Sequence, residues 1–377
     1  MFEQIKKRTY WVAAAFYLLI VFEFFYMASP FAIYFYSAYK PGLSLLYNTP
    51  ALSWLPQFFL PHLAMQTTSP LIDLRNEAGA VLTTLGFFCF VYGAVQLYYS
   101  KLTKKEVVSG GIYNFVRHPQ YTSMILCGFG LLLLWPRYIA LVFFITMVFA
   151  YYLLARIEEK ECEQKFGRSY LDYKEKTGMF LPIRLSRKIK LPLLPSAKGA
   201  RIVVYLSIYL LAMIGGIGLA KLLENHSRNS LYAYYTENAV YISLTEIEEA
   251  KMQNLIQAAL GEPLVQTCLA EQGTEGRFLN YIVPSNRYIS EIPMNNFEGL
   301  SRVNFMYTGT ETEVYKIIFT KAILSGDGKA NKEEILEWVT SRIPLIEIWL
   351  NSADSSIVQV IDPPAKRNYE GIPMPVF

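Results

Sequence analysis

Charge is scarce in this sequence: 18% of its 377 residues are Asp, Glu, Lys or Arg, against about a quarter in soluble domains. Metal-ligating residues are scarcer still. The four cysteines, Cys89, Cys127, Cys162 and Cys268, include no CxxC pair, and His62, His118 and His226 lie far apart. Spacing therefore offers no structural zinc site and no metal cluster. The lysines and arginines form no stripe with interleaved aromatics, so the net charge of +4 carries no argument for nucleic acid. There is no internal repeat. Asp327-Gly328-Lys329 lacks the acidic ladder of an EF-hand and reads as a plain turn. The first apolar run, from Tyr10, is too long for a signal-peptide core and lacks a small-residue cleavage site.

What is present is apolar length. The chain is 53% hydrophobic and 15% aromatic, in long blocks that thin out after Leu223. About 20 apolar residues suffice to cross the hydrocarbon core of a bilayer. Residues 10–36, 77–99, 121–135, 138–155 and 202–223 are candidate spans, and only Pro136 and Arg137 separate the third from the fourth, a helical hairpin. Basic residues cluster before the first span (Lys6, Lys7, Arg8), after the second (Lys101, Lys104, Lys105) and before the last (Arg184, Arg187, Lys188, Lys190, Lys198, Arg201). Such clusters stay cytosolic, which gives five spans with the N-terminus in the cytosol and the C-terminus outside. Residues 51–65, broken by Pro56 and Pro61, read as an interfacial segment. Glu23 falls within the first span, where a carboxyl is either functional or packed neutral against another helix.

From Glu224 the pattern changes. Short apolar strands are expected at 240–244, 278–283, 314–319, 346–350 and 357–361, with helices at 245–260 and 332–339. The fold class is thus a membrane all-α helical bundle of about five transmembrane helices over 1–223, followed by a soluble α+β domain over 224–377. That domain is expected on the non-cytosolic side of a bacterial inner membrane.

The polar chemistry sits at the ends of the third and fourth spans. In GGIYNFVRHPQY, residues 110–121, two glycines break the chain and Pro119 suits the first turn of a helix. A helix start offers free N–H groups and a positive dipole end. Arg117 and His118 beside it make a place for an anion. On the fourth span Tyr152, Arg156, Glu159 and Glu163 share a face by three- and four-residue spacing, with Glu158 adjacent. A hairpin returns this end to the cytosolic surface, within reach of Arg117 and His118. Basic groups on one side and carboxylates on the other suit a zwitterionic ligand. Residues 165–176, KFGRSYLDYKEK, form an amphipathic segment able to lie over the site. Each residue alone reads as an ordinary membrane anchor or a solvated helix end.

Taken in order, GGIYNFVRHPQY, an apolar hairpin and RIEEKECEQKFGRSYLDYKEKTGMFLP resemble the isoprenylcysteine carboxyl methyltransferase family and its phospholipid-methylating relatives, over residues 110–182. The resemblance implies a membrane methyltransferase using S-adenosylmethionine from the cytosolic side. It implies that Tyr113, Arg117, His118, Pro119, Tyr121 and Glu158 contact the cofactor, with Glu159 also in the site. It places Arg156, with Glu159, where cofactor and acceptor meet. Ser123 departs from the glycine common after the motif tyrosine. The expected acceptor is a lipophilic small molecule or lipid in the bilayer, methylated on a carboxylate, thiol or amine. The alternatives are phospholipid headgroup N-methylation, or a non-enzymatic assembly protein whose C-terminal domain binds a protein partner.

Overall fold

The computed structural model describes residues 4, 7–12, 14–15, 17–19, 21, 32–103, 108, 110–182, 197–273, 276–289, 291–294, 314–324, 334–364 and 376–377. Lys6, Glu23, Lys104, Lys105, Arg184, Arg187, Lys188, Lys190 and Asp327-Gly328-Lys329 lie outside them. In chain order the helices α1 (Ala32–Asn48), α2 (Pro70–Asp73) and α3 (Arg75–Leu102) come first, then a 3-10 turn (Gly111–Asn114). Next are α4 (Pro119–Leu134), α5 (Tyr138–Phe166), α6 (Arg168–Lys176) and α7 (Lys198–Asn229). Strands β1 (Tyr232–Tyr235) and β2 (Ala239–Ser243) lead to α8 (Glu249–Gly261) and α9 (Pro263–Ala270). The chain ends with β3 (Phe278–Pro284), β4 (Val314–Leu324), α10 (Ile335–Trp338), β5 (Val339–Asn351) and β6 (Ile357–Ile361). Two compact units result, Met1–Ser29 with Leu74–Lys221 and Pro30–Asp73 with Leu222–Phe377.

The helical stretches Pro70–Ser100, Tyr138–Phe166 and Gly199–Asn229 are 31, 29 and 31 residues long and apolar enough to cross a membrane. The chain is an integral membrane protein with a helical membrane part followed by an α+β region. Helix α4 is equally apolar but has 16 residues. It is joined to α5 through Trp135, Pro136 and Arg137, the tight break that the sequence foretells. Leu206, Leu210, Leu211 and Ile214 of α7 are exposed, the surface a membrane helix gives to lipid. The described residues between 4 and 21 are helical, and Tyr17 donates a hydrogen bond to Cys127 Sγ of α4 at 3.2 Å.

Helices α3 and α4 meet through glycine. A Cβ on Gly86 would stand 2.5 Å from the Cys127 backbone nitrogen, and one on Gly130 2.5 Å from that of Thr83. Lipid tails are as apolar as leucine, so membrane helices associate by close packing, which small residues permit. Gly79, Gly86 and Gly93 recur at seven-residue intervals and each abuts α4 or the residues leading into it.

The second unit is built on a six-stranded sheet in the order β1-β2-β3-β4-β5-β6. Among the described strands, only β2 and β3 pair in parallel, because the α8–α9 crossover joins them. All seven residues of β3 are buried, as a central strand covered on both faces requires. One face packs Tyr241, Ile282, Phe319 and Ile348 against Met252, Leu255 and Ile256 of α8. The other packs Val240, Leu279, Tyr281 and Ile318 against Leu336 of α10, with Leu63, Ala64 and Phe377. Segment 51–65, read as interfacial, thus contributes Leu63 and Ala64 to this core. Its backbone is paired as burial demands: the amides of His62 and Leu63 donate to the Phe377 carbonyl at 2.7 and 3.2 Å.

Each expected strand is present. The helix expected over 332–339 is shorter: Val339 already begins β5, opposite Leu324. Strand β1 and helix α9 escaped the sequence reading, β1 because four residues are too few to show alternation. Helix α7 runs on past Leu223 to Asn229.

Lys316 is out of place in the middle of β4. Its side chain is fully buried, with Nζ 3.6 Å from Met294 Sδ and 5.3 Å from the centre of the Trp349 ring. Burial pulls its pKa from 10.5 to about 8, and Glu347 only partly opposes this. Below pH 8 the amine is charged whether the chain is folded or not. Between about 8 and 10.5 the unfolded chain alone holds the proton, so stability rises with pH. The difference corresponds to about 3 kcal/mol. Lys316→Met is expected to remove that rise in thermal unfolding scans between pH 7.5 and 10.5. An unchanged slope in the variant would assign the effect to other groups.

Candidate functional site

The turn into α4 is held from two sides. On one, Gln96 Nε2 of α3 donates to the Gly110 carbonyl. Gly111 adopts φ +57°, and a Cβ there would lie 2.7 Å from Gln96 Oε1, so glycine fits this turn for both reasons. On the other, residues 177–180 run alongside. The amides of Arg117 and His118 donate to the carbonyls of Gly178 and Met179 at 2.8 and 3.2 Å, and Thr122 Oγ1 donates to the Phe180 carbonyl at 3.2 Å. Pro119 then opens α4 with His118 at its cap.

Glu159 of α5 is the hub of the site. Its side chain is 3% exposed, and Arg117 Nε donates to Oε1 at 2.7 Å. Lys174 Nζ of α6 lies 3.1 Å from Oε2, and His118 Nε2 3.6 Å from Oε1. Arg117 also donates to the carbonyls of Lys174 and Thr177, and Lys174 to Glu163 Oε1 at 2.5 Å. Two cations and a histidine around one buried carboxylate bind α5, α6 and the turn before α4 together, in surroundings where charge interactions are stronger than in water.

Glu158 occupies the neighbouring corner. Tyr121 Oη donates to its Oε1 at 2.8 Å, and His118 Nδ1 stands 3.5 Å from Oε2. At such distances the histidine contacts are charge contacts rather than full hydrogen bonds. Burial opposes protonation of His118, but the two carboxylates outweigh it and raise its pKa above the usual 6.5. The His118 and Tyr121 rings stack at 5.7 Å, and Tyr121 stacks on Tyr151 at 5.0 Å. Helix α6 closes over this region, redirected by Gly167 at φ +54°. Tyr173 Oη donates to the Tyr113 carbonyl at 2.7 Å.

The fold therefore gathers Arg117, His118, Tyr121, Glu158 and Glu159, places Pro119 at the start of α4, and ties Tyr113 in through Tyr173. Arg156 does not join them: it is exposed, one turn beyond Tyr152, whose ring meets Tyr205 edge-on at 6.2 Å. The carboxylate face read from spacing is thus split between a buried Glu159 and an exposed Arg156. Lys174 and the 177–180 strap were missed. A lysine at a mixed-charge helix end gives no sign of its partner, and a strap of backbone hydrogen bonds leaves none in side-chain identity. Gln96, a polar residue inside an apolar span, was a signal that could have been used.

Residues 76–169 match the sequence pattern of the phospholipid methyltransferase family. The chain is also similar to the protein-S-isoprenylcysteine O-methyltransferase of Saccharomyces cerevisiae, at 29% identity over 134 residues. That match covers 33% of this chain and spans 56% of the yeast protein's length. No solved structure matches the chain.

Proposed function

Taking the matched segment as part of the isoprenylcysteine and phospholipid methyltransferase-like family, we propose that this protein is an S-adenosylmethionine-dependent methyltransferase of a lipophilic acceptor. Five spans carry it, with the N-terminus and the cofactor site cytosolic and the 224–377 region outside, in a bacterial inner membrane. What supports the reading best is the convergence of Arg117, His118, Tyr121, Glu158 and Glu159 at the start of an apolar helix.

The residues fit such a cofactor. Tyr113 Oη is buried without a hydrogen-bond partner among the described residues, and the site offers both basic groups and carboxylates to an amino-acid group. The cofactor supplies an already activated methyl group, so the chain need only position and shield. Arg117, His118 and the α4 N-terminus would hold a carboxylate. Glu158, with Tyr113, would receive an ammonium or hydroxyl group, and Glu159 keeps Arg117 and His118 in place. The stacked His118, Tyr121 and Tyr151 rings exclude water from the reacting centre. Arg156, exposed on the same helix, would orient an acceptor carboxylate for in-line attack. The matched family pattern also favours a second reading, N-methylation of a phospholipid headgroup, in which Glu158 would face the amine. A third reading makes the C-terminal region the binding site for a protein partner.

Calorimetry with S-adenosylhomocysteine on detergent-purified protein tests the proposal. The wild type should bind, and His118→Ala should weaken binding by roughly tenfold or more, the worth of one good polar contact. A folded wild type that does not bind would sink the methyltransferase reading.

A further inference from the structure

Ser100 and Gln96 lie one turn apart near the end of α3, and both carry a buried polar atom with no hydrogen-bond partner among the described residues, Ser100 Oγ and Gln96 Oε1. Ser100 is 5% exposed. A buried helical serine usually bonds back to the carbonyl four residues earlier, as Thr103 Oγ1 does to Tyr99, yet Ser100 does not. Ser100, seven residues on from Gly93, returns to nearly its face of α3, and Gln96, three residues on, stands about 60° from it. Gly93 marks where that face points: a Cβ on it would stand 3.7–3.8 Å from Gln120, Ile112 and Pro119. Gln96 itself abuts Gly110 and Gly111. Gln96 Oε1 therefore borders the same turn that carries the buried Tyr113 Oη, which also has no hydrogen-bond partner among the described residues, and Ser100 Oγ lies one helical turn further along α3.

We propose that Gln96 Oε1 and Ser100 Oγ bind the nucleoside end of the cofactor, accepting hydrogen bonds from a group that presents two N–H or O–H donors, the exocyclic amine of the base or the ribose diol. The proposal rests on the methyltransferase reading and adds α3 to the site. The division of labour follows from charge. The cationic cluster at Arg117 and His118 suits the carboxylate end, and the neutral acceptors on α3 suit an uncharged donor group. A buried hydroxyl left unpaired costs stability that a ligand donor would recover, and Ser100 Oγ and Gln96 Oε1 offer such a donor two acceptors one helical turn apart.

Ser100→Ala separates binding from structure. It removes an atom that has no hydrogen-bond partner among the described residues. The thermal midpoint without ligand should stay level or rise, while the Kd for S-adenosylhomocysteine should rise about tenfold. Should the midpoint fall instead, Ser100→Cys, which fills the same space without a strong hydrogen bond, is expected to restore it and still bind weakly. Wild type should discriminate against S-inosylhomocysteine or a 2′-deoxy analogue, and the variant should lose that discrimination for whichever group Ser100 meets. Wild-type binding with unchanged Kd in both variants overturns this assignment alone. Absence of wild-type binding overturns it together with the parent reading.

Discussion

Glu159→Ala is expected to lower the thermal midpoint of the detergent-purified protein on the order of 10 °C and to weaken S-adenosylhomocysteine binding roughly a hundredfold. Removing one member of a buried ion cluster leaves its partners charged in a medium that solvates them poorly, at about 3–5 kcal/mol. Here the buried Arg117 loses its one carboxylate partner among the described residues, while Lys174 keeps Glu163 and His118 keeps Glu158. The turn before α4 and helix α6 would lose their common anchor on α5, so stability and binding should fall together. An unchanged midpoint with lost binding would instead show Glu159 acting on the ligand directly. A variant matching wild type in both would remove it from the site.

Gly86→Val should be more damaging still. The nearest atoms to a Cβ at this position are the backbone nitrogen and Cα of Cys127, at 2.5 and 2.8 Å. Backbone cannot swing aside as a side-chain tip does, so α3 and α4 must part. Overpacking typically costs about 1–3 kcal/mol where side chains can adjust, and here they cannot. Size-exclusion chromatography in detergent should show aggregate in place of a folded species. Gly215→Ala is the control: it meets nothing within 4 Å, and alanine favours a helix over glycine by about 1 kcal/mol. A well-folded Gly86→Val protein would mean that the two helices do not cross at this distance.

The encounter between Arg117 and Glu159 was legible because of Pro136 and Arg137. A two-residue break between apolar helices forces an antiparallel return, which brings residues 42 apart to one end of the hairpin. The exposure of Arg156 was not legible from shared-face spacing. Three residues are 300° of helical rotation, so Arg156 sits about 60° from Glu159, enough to divide a buried edge from a solvent-facing one. The glycines at 79, 86 and 93 were visible in the sequence, but what they approach depends on the partner helix. In the second unit, short apolar runs marked the buried strands, whereas the beginning of β5 at Val339 is set by its pairing with Leu324, a tertiary fact.

The shortness of α4 reaches beyond the protein. Its 16 residues rise about 24 Å, against about 30 Å for a typical hydrocarbon core. On the five-span proposal, local thinning of the bilayer around α4 would relieve this hydrophobic mismatch at a modest cost per ångström and draw headgroups toward His118 and Pro119. Acyl-chain length, varied in reconstituted vesicles, would then control how the proposed lipophilic acceptor meets this site, with thinner membranes expected to give the faster methyl transfer.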